Sequence, residues 1–249
     1  MNIKWIGCLM TGSLLALPAG AACLFGDAYL ARGQYEQARQ VYENCAKEQN
    51  DPGAQYALGQ LYQNGTGTPQ NIKRALFYYR FAAENGLASA QRALAQLMMD
   101  LERMGAPGRV ALQDYETKIG ELKETQKTTA EPIKAREMSA YAWMLLAAEK
   151  ADNKWFYPAG GDQDQQAVRL LPGLENRYGK SAREQAVRQA SAWKEDKLLR
   201  AAKTALSDSE YATFTDILYP RQGKPDPARR LLEVSKLKQR LTGEGQSHD

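Results

Sequence analysis

Residues 53–86 read GAQYALGQLYQNGTGTPQNIKRALFYYRFAAENG. Leu58, Leu61 and Tyr62 recur at three- and four-residue steps, which is helical and not strand spacing. The stretch Asn64-Gly65-Thr66-Gly67 interrupts that pattern with turn formers, and glycine accepts the positive φ such a turn needs. A second apolar run starts near Ala75, and Gly86 stands where a helix would stop. Small residues at Ala54, Gly59, Ala75, Ala82 and Ala83 let two antiparallel helices approach closely. The segment therefore predicts a helix pair. It restarts downstream, since Ala54-Gln55 recurs as Ala90-Gln91, and a fixed period of this length is the signature of a solenoid.

The pattern resembles the Sel1-like repeat, a relative of the tetratricopeptide repeat. Ala54, Leu58, Gly59, Tyr62, Gly65, Gly67, Ala75, Tyr79, Ala82, Ala83 and Gly86 carry the resemblance, with Asn71 leading into the second helix. Upstream, FGDAYLARGQYEQARQVYENCA (25–46) is similar to a plain tetratricopeptide unit through Gly26, Tyr29, Ala38, Tyr42 and Ala46. A third unit starts at Ala90 and is interrupted. Its second helix is expected near 137–149, where Ala140, Trp143, Ala147 and Ala148 match Ala75, Tyr78, Ala82 and Ala83. The intervening stretch, about 104–136, is expected to be a helical insertion projecting from the solenoid. Val110, Tyr115, Ile119 and Leu122 follow helical spacing there, and Pro132 closes it.

The expected fold is all-α: a right-handed α-solenoid of antiparallel helix pairs with this insertion and a helical C-terminal cap. The repeats occupy 23–150 and the C-terminal helical region 151–241, ahead of a loose tail at 242–249. After an aromatic cluster at Trp155-Phe156-Tyr157, helices are expected at about 164–178 and 181–195, the latter capped by Ser181 with Glu184 three residues on. A short helix should run from Ser207 to about Leu218, and a last one from Pro227 to about Leu241. Residues 180–241 carry an excess of lysine and arginine, read either as a solvated face or as a docking surface for an acidic partner, peptidoglycan or anionic lipid headgroups.

Residues 1–22 read as a secretory signal: Lys4, an apolar run from Ile6 to Leu17, Pro18, then the small residues Ala19 to Ala22. Of the 3 cysteines, Cys8 would leave with it. Cys23 and Cys45 would remain, and an even count in an oxidising compartment favours their pairing. If residues 23–47 form a helical hairpin, the two cysteines sit at neighbouring ends of antiparallel helices. Cys45 also occupies the slot that the next repeat fills with Ala82, facing the partner helix. A second reading competes for the same sulfur: Gly20-Ala21-Ala22-Cys23 resembles a lipobox, departing from it at Gly20.

The chain has 249 residues, a formal charge of +4 and 1 histidine, His248. Such a charge is too mild to argue for nucleic acid, and histidine-based triads and zinc sites have nothing to build on. No nucleophile elbow, phosphate loop, dinucleotide fingerprint or metal-spaced cysteine pair occurs. No catalytic residue, metal ligand or cofactor is assigned, and the expectation is a non-enzyme. Counting from the Gly59 packing position, the concave face should present Tyr56, Gln60, Gln63 and Asn64, then Arg92, Gln96, Met99 and Asp100. An amide-rich, aromatic-bearing surface suits peptide or loop recognition.

The resemblance implies an adaptor for protein partners. With the export signal, the expectation is a periplasmic scaffold within a bacterial envelope machine serving secretion, pili, a flagellar motor or polysaccharide export. Its alternatives are an outer-membrane lipoprotein assembly factor lipidated at Cys23 and, more remotely, a cell-wall-modifying enzyme. Membrane association would run through the lipid or through the basic C-terminal region.

Overall fold

A computed structural model describes residues 19–125, 138–149 and 164–218. Nine helices and no strand occur among them: α1 (Ala19–Ala31), α2 (Tyr35–Glu48), α3 (Pro52–Asn64), α4 (Ile72–Glu84), α5 (Ala88–Arg103), α6 (Ala106–Thr125), α7 (Ala140–Ala148), α8 (Gln165–Ala205) and α9 (Asp208–Leu218). The helices α1 and α2, α3 and α4, and α5 and α7 pack as pairs. Each pair leans on the next through α2 against α3 and α4 against α5, and α7 then packs on α8. The result is the expected all-α solenoid. Among the described residues, no helix is long and apolar enough to cross a membrane.

Local chemistry places the helix ends. Asp51 caps α3 by accepting from the Ala54 amide at 2.6 Å, and Pro52 fills the first turn, where a missing N–H costs nothing. Gly65 ends α3 in the left-handed region at φ 69°. Asn71 caps α4 through the Arg74 amide at 3.0 Å, so the expected lead-in residue is the cap itself. Ser139 does the same for α7. Ser207 and Glu210 meet at the start of α9, where Glu210 Oε2 accepts from the Ser207 amide at 3.0 Å.

A single core runs through the pairs. Leu58, Ala75, Leu76, Ala82, Ala83, Ala90, Leu94, Ala95, Trp143 and Ala147 are fully buried in it. Gly59 lies against the Tyr79 ring so closely that a Cβ there would come within 2.4 Å of ring carbon Cδ1, and Gly26 meets Tyr42 in the same way. Close approach, and not backbone freedom, requires glycine at both positions. Tyr62, Tyr79, Trp143 and Trp193 are buried, whereas Tyr78 is half-buried and stacked on Tyr62 at 5.6 Å. The Cys23–Cys45 disulfide joins α1 to α2 with a Cα–Cα distance of 5.9 Å.

Three expectations change. The insertion does not project over its described part: α6 lies along α5 and α4. Gly108 presses on the Leu101 backbone, Tyr115 is buried in the common core, and Lys73 Nζ reaches Asp114 Oδ2 at 2.5 Å. Of the expected stripe Tyr115 is buried and Val110 is exposed; Ala111 and Leu112 join Tyr115 instead, a face apolar enough to be withdrawn from water once α4 and α5 offer a surface. The two expected C-terminal helices are present as the two arms of α8, divided at Gly179 (φ 83°, ψ 169°), but their details differ. The break precedes Ser181, so Ser181 lies inside the second arm and is not its cap, and that arm runs on to Ala205. Most of the expected signal segment, the rest of the insertion, the Trp155 cluster, the helix expected from Pro227 and the tail lie outside the described residues.

Candidate partner-binding groove

The first helices of successive pairs line a groove of about 500 Å³. Tyr56, Gln60 and Gln63 reach it from α3, and Arg92, Gln96, Met99 and Asp100 from α5. Seven of the eight expected positions thus share one surface. Asn64 does not join them: it is the last residue of α3, about 100° round the helix from Gln63, and it is exposed beside the turn.

The wall is partly pre-ordered. Tyr79 Oη donates to Gln63 Oε1 at 2.6 Å, and Gln60 Nε2 donates to Tyr56 Oη at 3.1 Å. The Tyr56 and Tyr79 rings lie 5.7 Å apart and tilted, an arrangement that favours aromatic pairs. Burial pushes the Tyr79 hydroxyl well above its ordinary value, so it remains a neutral donor. Side-chain amides carry both donors and acceptors, and can pair with either group of a peptide backbone.

Arg92 is less available than its position suggests. Its Nε donates to Asp164 Oδ2 at 2.8 Å and its Nη1 to Gln96 Oε1 at 2.8 Å. Both charged side chains are mostly buried, and Asp164 also caps α8 through the amides of Gln166 and Ala167. Arg92 therefore anchors α8 to the third pair while lining the groove.

The far wall is what the repeat counting missed. Leu170, Leu174 and Arg177 come from the first arm of α8, Met144 from α7, Tyr79 from α4, and Ala93 and Arg103 from α5. Their only sequence signal is the helical spacing of 170, 174 and 177. It points to one face of a helix, but nothing local says which surface that face meets.

Stacked antiparallel helix pairs, small residues at their crossings and a groove across their first helices define a solenoid protein of the tetratricopeptide-related class. The Sel1 repeat family model matches residues 52–87 and 136–152. The first match spans α3 and α4, and the second contains α7, the delayed second helix of the interrupted unit. These two segments are Sel1-like repeats, and they support a Sel1-like repeat family member. The chain is also similar to two crystal structures. One is a Sel1 repeat protein from Oxalobacter formigenes, with 19% identity and a TM-score of 0.33, covering 92% of this chain and 91% of that one. The other is c5321, a protective antigen present in uropathogenic Escherichia coli strains displaying an SLR fold. It shows 19% identity and a TM-score of 0.31 over 88% of this chain, which spans 53% of the antigen's length. No curated protein matches the chain.

Proposed function

We propose that this protein is a non-catalytic adaptor that holds a segment of a protein partner in the groove between α3, α5 and the first arm of α8. Sel1 repeats mediate protein–protein interaction as scaffolds. The observation that carries the reading here is the convergence of Tyr56, Gln60, Gln63 and Gln96 with Met99, Leu170 and Leu174 on one concave surface. Amides and hydroxyls suit a backbone, and the aliphatic wall suits a side chain, a combination that binding grooves use for affinity and orientation together.

The setting we propose is the periplasm, within an envelope assembly. Two features support it: the signal-like pattern of residues 1–22 and the Cys23–Cys45 pairing, since disulfides persist in oxidising compartments. The rival lipoprotein reading needs a free Cys23 sulfur. Intact-mass and peptide mapping of the mature protein separates the two: a Cys23–Cys45 linked peptide supports the soluble adaptor, and an acylated Cys23 overturns it.

The groove itself is tested by in vivo crosslinking from the envelope fraction with a Tyr56, Gln60 and Gln96 triple alanine variant. Arg92 is left intact because its loss would also release α8 from Asp164. Loss of the captured partner, with unchanged circular dichroism, is the expected result. Undiminished capture would exclude the concave face as the binding surface.

A further inference from the structure

The groove is chemically two-sided. Its α3 side carries Tyr56, Gln60 and Gln63. Its α8 side carries Leu170 and Leu174 beside Met99 and Met144, with Arg103 and Arg177 at the C-terminal ends of their helical segments. The arginines are not equivalent. Arg92 is held by Asp164, with both side chains mostly buried. Arg103 is paired with Asp100. Arg177 is exposed, and among the described residues no carboxylate holds it in an ion pair. Its guanidinium instead lies over the Tyr178 ring, 5.1 Å from the centroid. The neighbouring Glu102 is engaged by the Tyr178 hydroxyl at 3.0 Å. One end of the groove therefore presents a cation to solvent next to an aliphatic wall.

Resting on the groove reading above, we infer that the occupant is an extended peptide segment with an aliphatic side chain followed two residues later by an aspartate or glutamate. The aliphatic group packs on the exposed Leu170 and the rim of the buried Leu174, and the carboxylate meets Arg177. The spacing follows from geometry. Leu174 and Arg177 are three residues apart on a helix, about 4.5 Å along its axis. Side chains two apart in an extended peptide share a face and are separated by roughly 6.5–7 Å, a difference the long arginine side chain spans. Arginine suits the role because its planar fork binds a carboxylate through two parallel hydrogen bonds. The amide side of the groove reads the backbone on either flank and sets no charge requirement.

The test uses the purified full chain and short fluorescein-labelled peptides of neutral, flexible background. Each carries leucine followed two residues on by glutamate, glutamine or lysine, and binding is read by fluorescence anisotropy. The glutamate peptide should bind roughly tenfold more tightly than the glutamine peptide, since charge-assisted bonds are about twice as strong as neutral ones. Arg177→Met should erase that difference, and Arg177→Glu should transfer the preference to the lysine peptide. Leu170→Ser, at the exposed leucine of that wall, should weaken all three. Arg177 is exposed, so both of its variants should fold, and circular dichroism checks this. Equal affinity for the glutamate and glutamine peptides, preference of the unaltered protein for lysine, or no binding of any peptide would each overturn the inference. Failure of the underlying reading looks different: the Tyr56, Gln60 and Gln96 variant would keep its crosslinked partner. Loss of the partner in that variant, with no glutamate preference in the peptide series, would remove the acidic-segment inference alone.

Discussion

Gly59 shows how much a single position constrains. Its Cα hydrogen faces the Tyr79 ring, and that ring is buried with its hydroxyl bonded to Gln63 in the groove wall. One packing contact thus supports a core and a binding surface together. Gly59→Ala would push a methyl into the ring, and overpacking of this kind costs about 1–3 kcal/mol. Urea denaturation should show a lower midpoint with an unchanged slope. The displaced Tyr79 should also lose its bond to Gln63, so the variant should bind its partner less well than its residual stability implies. The corresponding positions of the third pair are Ala95 and Met144, both buried. A flexible methionine leaves room for a Cβ that a rigid tyrosine ring refuses. The requirement for glycine belongs to the tyrosine opposite it, and the sequence alone displays both residues without displaying their contact.

At the scale of the element, α1 is the first helix among the described residues. It packs on α2, and the disulfide ties the two together. Leu24 and Phe25 remain exposed beside it. Closing a loop of sequence separation 22 stabilises by about 3 kcal/mol in the chain-entropy model. A Cys23→Ser, Cys45→Ser double variant should accordingly lower the thermal midpoint and make α1 the first segment to exchange its amides with solvent. Uniform loss of protection along the chain would contradict this, because it would mean α1 opens only with the whole solenoid. Helix existence and type were legible throughout this region, since small residues, turn glycines and caps are local signals. The packing of α6 was not. Its apolar stripe has the same sequence appearance whether it faces water or the surface of α4 and α5, and only the presence of that surface decides.

For the whole molecule, the buried tyrosines set the alkaline limit of stability. Burial first, and then a hydrogen bond to Asp27, pushes the Tyr42 hydroxyl far above its ordinary value of 10.0. Burial raises Tyr79, Tyr78, Tyr141 and Tyr178 as well. A folded-state value above the unfolded one means stability is fully present below about pH 10 and is lost as pH rises beyond it. There the unfolded chain ionises and the folded chain does not. Lys197 acts in the opposite direction, since burial lowers it below its ordinary 10.5, but it is one group against five. Stability followed by urea midpoints should therefore be flat up to about pH 10 and then fall. The tyrosinate absorbance of these five should appear together with unfolding and not before it. Their ionisation in a still-folded protein would show that the pairs open far more readily than their packing implies.

The repeat register, the helix pairing, the choice of cysteines for pairing and seven of the eight concave positions were all readable from residues 23–103 and 137–149. These features depend on contacts between near neighbours, and near neighbours repeat in sequence. The far wall of the groove, the commitment of Arg92 to Asp164 and the seating of α6 were decided by tertiary structure alone. Each joins segments far apart in the chain, and no period connects them. The chemistry of the groove follows that division: its amide half is a property of the repeat, and its aliphatic, arginine-bearing half exists because the first arm of α8 completes the surface.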